Sequence, residues 1–202
     1  MTQAAASIDI AEEDRLRADL YDFLAALLAA PPDRGLLARS AALEGDGTGL
    51  GRAIASLARL AQAATPAAVE REFTDLFIGL GRGEVLPYAS FYLTGFLNEK
   101  PLAALRRDMG AFGISRAADV FEPEDNIASL MEMMAGLIDG RFGVAADLAG
   151  QNQFFSRHVA PWAGHFFTDL EAAKASVFYA AVGAVGRQFM QIEREAFRLG
   201  GG

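Results

Sequence analysis

Apolar residues recur every three or four positions along most of this chain, which is the spacing of one face of an α-helix. The first stripe comprises Leu16, Leu20, Phe23, Leu24, Leu27 and Leu28. It follows Asp9 and Glu12, whose spacing resembles a capping box, and it ends at Pro31–Pro32. No sustained run alternates with period two, and the strong helix formers Ala and Leu are abundant. The pattern therefore predicts an all-α protein.

Capping residues and glycines divide the following residues into further helices. A glycine-rich break at residues 45–51 separates a short helix from one over 54–63. Thr65 as N-cap, with Pro66 in the first helical position, predicts a helix that ends at Gly81. Its apolar face consists of Val69, Phe73, Leu76, Phe77 and Leu80.

The second half of the chain shows the same helical spacing. A short helix or turn is predicted over residues 90–97, and helices are predicted from Pro101 to about 112 and from Pro123 to Gly140. Residues 171–197 are predicted to form one long or kinked helix. Its inward face would be Val177, Phe178, Ala181, Val185, Phe189 and Ile192.

The apolar pattern loses its period between residues 114 and 122. We interpret this segment, about 113–122, as a hinge between an N-terminal lobe of about residues 9–112 and a C-terminal lobe of about 123–198. The expected architecture is a single all-helical domain over residues 1–202. It would contain about eight to ten helices in two closely packed lobes that are joined near residues 113–125.

Composition and charge exclude several classes of protein. The 202 residues are 52% hydrophobic, enough for a substantial core, and the net charge of −8 argues against nucleic-acid binding. The chain has no cysteine, which excludes disulfides and thiolate metal sites. Residues 1–14 lack a basic start, so we expect no secretory signal and a cytoplasmic location. The apolar run 23–32 is too short to span a membrane.

Neither a catalytic nor a metal site is predicted. His158 and His165 are the only histidines, and Pro161 lies between them, so both are interpreted as core or partner-contacting residues. The acids Glu122, Glu124 and Asp125 lie where a helix start favours negative charge. The GLGRG run at 79–83 resembles a phosphate-binding loop, but it lacks the Gly-Lys-Ser/Thr ending and a preceding strand.

The segment from Phe73 to Tyr92, FTDLFIGLGRGEVLPYASFY, is unusually apolar for a connection between helices. We interpret it as a surface that contacts another polypeptide. Methionines 131, 133 and 134 are first of all core residues, although thioethers in an exposed groove would suit a partner of variable sequence.

Several motifs in one order resemble the TorD/DmsD/NarJ family of chaperones for molybdenum-cofactor oxidoreductases, most closely its TorD-like branch. They are FTDLFIGLG at 73–81, LPYASFY at 86–92, EPEDN-IASLMEMM at 122–134 and QNQFFSRHVAPWAGHF at 151–166, followed by VFYAAV. Together they cover about residues 65–190.

The resemblance implies a function and a set of site residues. It implies a protein that binds the twin-arginine signal peptide, or the apo form, of a molybdoenzyme catalytic subunit, assists cofactor insertion and delays export. The signal-peptide residues carried over are Phe77, Leu86, Pro87, Tyr88, Ser90, Tyr92, Glu122, Pro123, Asp125 and Asn126, with Gly79 as a further groove or hinge residue. The protein would be a monomer or a domain-swapped homodimer.

The resemblance also bears on cofactors. It implies no tightly bound cofactor, but weak binding of GTP or contact with the molybdenum cofactor through the client. Asn126 departs from the family, which usually has His there, and Leu130 lies where Glu is common. Because an amide keeps the hydrogen bonds of imidazole but does not titrate, a proton-linked release step is not expected at this position.

The residues themselves suggest a mechanism for peptide binding. Tyr88, Tyr92, Phe77 and Leu86 would line an apolar groove, while Asp125, Glu122 and Glu124 would hold the basic residues. Asp125 has an equally good alternative role as a helix cap. Two other functions remain open, a helical adaptor that binds a mature subunit and a GTP-binding regulatory protein.

Overall fold

The computed structural model describes residues 11–117 and 120–200, and within them it contains ten α-helices, two π-helical segments and no strand. The all-α prediction is therefore confirmed. The α-helices of the first half are α1 Glu12–Ala29, α2 Arg34–Ala41, α3 Gly49–Ala63, α4 Pro66–Phe73, α5 Ala89–Thr94 and α6 Lys100–Ala111. Those of the second half are α7 Ile127–Asp139, α8 Leu148–Phe154, α9 Ala163–Ala172 and α10 Phe178–Gly200.

Two π-helical segments extend neighbouring α-helices without a break. Segment π1, Thr74–Ile78, continues α4, and segment π2, Phe155–Val159, continues α8. Such π-helical segments within helices are frequently found near functional sites.

None of the helices in the described part of the chain is both long and apolar enough to cross a membrane.

Polar side chains start several helices. The Oγ1 atom of Thr65 accepts a hydrogen bond from the Ala68 amide at 3.3 Å, as the sequence predicts. Thr48 caps α3 in the same way, so this helix begins at Gly49 and not near residue 54. Asn126 caps α7 through the Ala128 amide at 2.9 Å, so α7 begins at Ile127 and not at Pro123. The predicted capping box includes Asp9, which lies outside the described residues.

The single helix predicted over residues 171–197 is wrong. Helix α9 ends at Ala172 and α10 begins at Phe178. The turn between them is held by carboxylates from distant helix and loop positions. Glu72 accepts hydrogen bonds from the amides of Val177 and Tyr179, both at 2.7 Å, and Glu84 accepts one from the Lys174 amide at 2.6 Å. The Glu72 bonds satisfy amides that would otherwise lack partners at the start of α10, and the Glu84 bond holds the turn after α9.

Four apolar residues assigned to inward faces lie on the surface instead. They are Leu16, Leu80, Val177 and Ile192. Leu80 is exposed because the backbone leaves the helix at Gly79, which has φ of +62°, and not at Gly81. Val177 is exposed because it belongs to the turn before α10.

The core is one cluster of buried apolar side chains drawn from both halves of the sequence. Helix α1 packs against α7, α3 packs against α2 and α10, and α10 packs against α9. Helix α7 is buried along most of its length, and its three methionines, Met131, Met133 and Met134, belong to the core. The division into two lobes with a hinge at about 113–122 stays a prediction.

Two loops cross in front of α5 and α7. The Ala89 amide donates to the Asp125 carbonyl at 3.0 Å, and the Ile127 amide donates to the Pro87 carbonyl at 2.8 Å. These bonds form an isolated antiparallel bridge between Tyr88 and Asn126. We call residues 86–90 and 122–127 the crossing. It fixes the starts of two helices relative to each other.

The carboxylate of Asp125 secures the crossing from inside. Only 1% of this residue is exposed. Its Oδ2 atom accepts hydrogen bonds from the amide of Ser90 at 2.8 Å and from the Ser90 hydroxyl at 2.5 Å. The negative charge therefore lies at the amino end of α5, where the helix dipole favours it. Asp125 is a cap, but of α5 and not of the helix that follows it in sequence.

A second buried carboxylate joins α1 to α10. Glu193 is 1% exposed and accepts both Nε and Nη2 of Arg17, at 2.8 and 2.9 Å. The hydroxyl of Tyr21 donates to the same carboxylate at 3.0 Å. The charge pair is thus bidentate and further hydrogen-bonded, the geometry that offsets the cost of burying two charges.

Replacing Asp125 by Ala should destabilise the protein by about 2–3 kcal/mol, because the Ser90 amide and hydroxyl lose a charged acceptor inside the fold. For a domain of this size, that loss corresponds to a fall in the thermal midpoint of about 5–10 °C, measured by circular dichroism. Asp19→Ala, on the exposed face of α1, is the matched control and should leave the midpoint unchanged. Equal midpoints for both variants would contradict the capping role.

Glu193→Ala should lower the stability by about 3 kcal/mol, because it leaves the Arg17 guanidinium without its main partner in a partly buried position. The matched control is Glu195→Ala on the same helix, where the carboxylate pairs with Arg198 in solvent. Chemical denaturation should show a lower midpoint for Glu193→Ala alone. A similar loss in both variants would mean that α10 responds to helix charge and not to the buried pair.

Candidate functional site

An open groove with a volume of about 740 Å³ lies between α1, π1, the crossing and α7. Its apolar lining comes mainly from α1 and from the end of α4 with π1. The α1 residues are Ala25, Ala26, Leu28 and Ala29, and those opposite are Phe73, Phe77 and Ile78. Three of the four α1 residues are alanines, whose small side chains leave the groove deep on this side. Aromatic and branched side chains form the opposite wall.

The aromatic wall of the groove is held in place by edge-to-face packing. The ring of Phe77 lies 4.9 Å from that of Phe73 and 5.4 Å from that of Tyr179, measured between centroids. Such contacts fix ring orientation in addition to burying area. Ile78, by contrast, is 59% exposed although it lines the groove. An exposed branched side chain at a concave surface is available for contact with a ligand.

The rim of the groove carries more negative than positive charge. Its charged residues are Asp22 on α1, Glu122 in the crossing, Glu132 on α7 and Arg141 after α7. Three carboxylates therefore face one guanidinium. Because Glu122 and Glu132 are exposed, a ligand can reach both carboxylates at the cost of only modest desolvation.

A short hydrogen-bonded chain organises the rim at the crossing. The hydroxyl of Tyr88 donates to Oε1 of Glu122, and Nδ2 of Asn126 reaches the same oxygen at 3.4 Å. Burial, together with the Glu122 carboxylate, raises the pKa of Tyr88 above its usual value. Tyr88 is therefore a neutral donor at any physiological pH, and it orients a carboxylate that remains solvent-exposed.

Five of the predicted site residues line this groove. They are Phe77, Pro87, Tyr88, Glu122 and Asn126. Pro123 lies beside them in the turn before α7, half-buried and outside the lining. The crossing brings residues near 88 and near 122 to the same surface, as the family resemblance implied.

Two predicted residues belong to another surface. Leu86 and Tyr92 line a separate depression of about 330 Å³ beside Asp169. The Tyr92 hydroxyl donates to Asp169 Oδ2 at 2.8 Å, and its ring packs 5.3 Å from that of Trp162. The expected common wall of Tyr88, Tyr92, Phe77 and Leu86 is therefore wrong. Tyr88 precedes α5 in extended backbone, whereas Tyr92 lies one turn into α5 and faces α9.

Two of the predicted acids are buried and accept hydrogen bonds from other residues of the protein. Asp125 and Ser90 are buried partners in the crossing, so Asp125 does not face the groove as an arginine acceptor. Glu124 is also buried and accepts Nε and Nη2 of Arg106 at 3.0 and 2.8 Å. The expectation that Asp125 and Glu124 hold a ligand's basic residues is corrected: of the three predicted acids, only Glu122 lies at the groove.

Sequence reasoning missed the contributions of α1 and the outer face of α7. Asp22 precedes the small residues Ala25, Ala26 and Ala29 at helical spacing, and Glu132 lies one turn after Ala128. An alanine face beside an acid on α1 is a usable signal, because small side chains leave space where a bulky stripe would fill it. The groove is formed only when α1 packs beside α7.

The glycine loop at 79–83 has a structural explanation. Gly79 has φ of +62°, and a Cβ atom there would lie 2.1 Å from the Arg82 carbonyl oxygen. A Cβ atom on Gly83 would lie 2.5 Å from the Leu76 carbonyl oxygen. The glycines permit a tight return of the chain, which the Val85 amide completes by donating to Leu76 at 2.8 Å. A phosphate is not needed to explain them.

The two histidines lie in different environments. His158 is buried, and its Nε2 lies 2.7 Å from Oδ2 of Asp108, whereas His165 is exposed. Burial lowers the pKa of His158, and the contact with Asp108 opposes that effect. Among residues 11–117 and 120–200, no three His, Asp or Glu side chains are grouped as a metal site would require.

Comparison with known proteins gives several matches. The chaperone protein TorD of Vibrio cholerae serotype O1 (El Tor Inaba N16961) is 31% identical over 130 residues, which cover 61% of this chain and 59% of the relative. TorD of Aliivibrio fischeri is 29% identical over 132 residues, 60% of each protein. The chain thus spans about three fifths of the length of these curated relatives. Both relatives are named as chaperones and not as enzymes.

A solved structure from Archaeoglobus fulgidus, described as a candidate redox enzyme maturation protein, has the same fold. Its TM-score is 0.55 at 18% identity, over 94% of this chain and 99% of that one. The family described as "Nitrate reductase delta subunit" matches residues 43–168. Since this match covers more than half of the 202 residues, the chain belongs to the nitrate reductase delta subunit family, which confirms its resemblance to the TorD and NarJ proteins.

Proposed function

We propose that this protein is a chaperone of redox-enzyme maturation that binds the twin-arginine signal peptide of a molybdoenzyme catalytic subunit in the groove between α1, π1 and α7. One observation carries the proposal, an apolar groove of about 740 Å³ with three carboxylates on its rim. A twin-arginine leader has a basic start followed by an apolar stretch. The two halves of that pattern match the rim and the floor of the groove.

The apolar stretch of the leader would contact the α1 alanines and the wall formed by Phe77 and Ile78. Helical or extended peptide segments bind such grooves by placing successive apolar side chains into them. The exposed part of Ile78 is removed from water only when the groove is occupied. Its burial therefore contributes to binding and not to folding.

The basic start of the leader would meet Glu122, Glu132 and Asp22. An arginine forms two parallel hydrogen bonds with a carboxylate, which gives direction as well as energy. Glu122 is already oriented by Tyr88 and Asn126, so little ordering is needed when a guanidinium arrives. The partly exposed rim gives modest ionic energy, and ordering the peptide costs free energy, so we expect a dissociation constant near the micromolar range.

Binding of this strength suits a protein that must release its client. We propose that the complex persists in the cytoplasm until the cofactor is inserted into the enzyme, and that export follows release. The chaperone itself would hold no cofactor tightly and would meet the molybdenum cofactor only through the client. Asn126 links Glu122 to the Ala128 amide through its neutral side chain, so release at this position does not depend on a proton.

The ionic half of the proposal is tested with a carrier protein fused to a twin-arginine leader. Wild-type chaperone should capture it, and Glu122→Gln with Glu132→Gln should weaken binding about tenfold, because two partly solvated ion pairs are lost. Raising salt from 0.05 to 0.5 M should weaken wild-type binding much more than binding by the double variant. Calorimetric titration measures both effects.

The control for these variants is Glu70→Gln with Glu99→Gln, two exposed acids outside the groove lining. It makes the same change in net charge and should bind like wild type. Equal weakening by both pairs would assign the effect to overall charge and remove the rim from the site. If the client is captured equally well without its leader, the adaptor function replaces the one proposed here. Titration with GTP tests the nucleotide alternative directly.

The apolar half is tested by Ile78→Ser. Because Ile78 is 59% exposed in the free protein, the substitution should leave the thermal midpoint unchanged and weaken leader binding about tenfold. Ile192→Ser on α10 is the matched control, since Ile192 is 47% exposed and lies away from the groove. Unchanged binding by Ile78→Ser would place the apolar stretch of the leader elsewhere.

A further inference from the structure

Arg141 occupies one end of the groove from a fixed backbone position. Helix α7 ends at Asp139, and its C-cap Gly140 has the left-handed conformation with φ of +79°. The Arg141 amide then donates to the Gly136 carbonyl at 3.1 Å and to Oδ1 of Asp139 at 2.8 Å. These bonds hold the main chain, so only the side chain of Arg141 can move without disturbing α7.

The guanidinium of Arg141 reaches from the end of α7 across to α1. Its Nη1 donates to Oδ1 of Asp22 at 3.0 Å and its Nη2 to Oδ2 at 2.5 Å, a bidentate pair. Nη2 also donates to Oδ2 of Asp139 at 2.7 Å. The two carboxylates thus form a site with the geometry that a guanidinium requires, and the chain fills it with its own side chain.

The occupied carboxylate belongs to the same rim that the proposed leader would contact. Asp22 and Arg141 both line the groove, together with Glu122 and Glu132. The Arg141 and Asp22 side chains are 38% and 39% exposed, so the arginine can turn into water without leaving a buried charge unpaired. The same exposure allows an incoming guanidinium to reach Asp22.

We infer that Asp22, which lines the groove, and Asp139, which lies beside that lining, form a guanidinium subsite at the end of the groove, in which Arg141 acts as an internal competitor of the leader's arginine. This inference rests on the proposed function and adds a reason for weak binding. An arginine that enters the subsite replaces equivalent hydrogen bonds, so the exchange yields little net free energy. The competitor also remains tethered next to the subsite, where its effective concentration is high, and it speeds release.

The inference is tested with Arg141→Gln and two synthetic peptides. One peptide has two adjacent arginines followed by an apolar run of about ten residues, and the other has glutamines in place of the arginines. Arg141→Gln should bind the arginine peptide about three- to tenfold more tightly, mostly through slower dissociation. Its affinity for the glutamine peptide should equal that of wild type. Surface plasmon resonance measures both rates.

Three further variants separate competition from simple charge. Arg187→Gln removes the same charge from the Arg187–Glu171 pair, which lies outside the groove lining and whose side chains are 37% and 38% exposed. This variant should bind like wild type. Arg141→Lys keeps the charge but loses the fork, so it should give an intermediate gain. Adding Asp22→Asn to Arg141→Gln should cancel the gain, because the subsite then lacks its main acceptor. Circular dichroism confirms that each variant is folded.

The outcomes distinguish this inference from the function on which it rests. If wild type and Arg141→Gln bind the arginine peptide equally, or if Arg187→Gln gains as much, the internal competitor is excluded while the groove assignment stands. If neither wild type nor Arg141→Gln binds the arginine peptide, both the subsite and the proposed function are overturned. A gain that persists with Asp22→Asn would move the subsite to another carboxylate.

Discussion

The crossing of residues 86–90 and 122–127 is the constraint on which the groove depends. Two backbone hydrogen bonds join the two segments of the crossing, and the buried Asp125 carboxylate caps α5 from the opposite segment. Because helices α5 and α7 both start there, the crossing sets where Tyr88 and Glu122 emerge. Replacing a buried carboxylate that caps a helix destabilises the protein, since its removal leaves hydrogen-bond donors without a partner in the interior.

Four neighbouring residues of the crossing perform four different tasks. Glu122 is exposed at the groove, Glu124 pairs with Arg106, Asp125 caps α5 and Asn126 caps α7. The three carboxylates among them therefore differ in burial: two are buried and stabilise the fold, and the third is exposed to solvent. A carboxylate already bound to amides or guanidinium inside the fold is stabilising, whereas one at the rim is available to a ligand.

The rim combines acids that attract a basic ligand with an arginine that already binds one of them. Three carboxylates and one guanidinium leave the groove negative, which favours approach of a cationic peptide. In the proposed complex, the Arg141–Asp22 pair would lower the free energy that the ligand gains on binding. Fast capture and limited affinity are compatible in such a site, because long-range charge acts mainly on association and local exchange acts on dissociation. Both properties would suit the proposed chaperone function with a transient client.

The fold class, the N-cap at Thr65 and the core role of the α7 methionines follow from the chain alone, because helical periodicity and capping are local properties. The family resemblance also implied a common groove for residues near 88 and 122, which line the same surface. What local pattern could not decide was which acid is buried and which is free. Glu72 capping α10, Asp125 capping α5 and Asp22 facing the groove all depend on contacts between distant segments. Only the packing of α1 beside α7 creates the groove, since a cavity belongs to the space between helices and not to either helix.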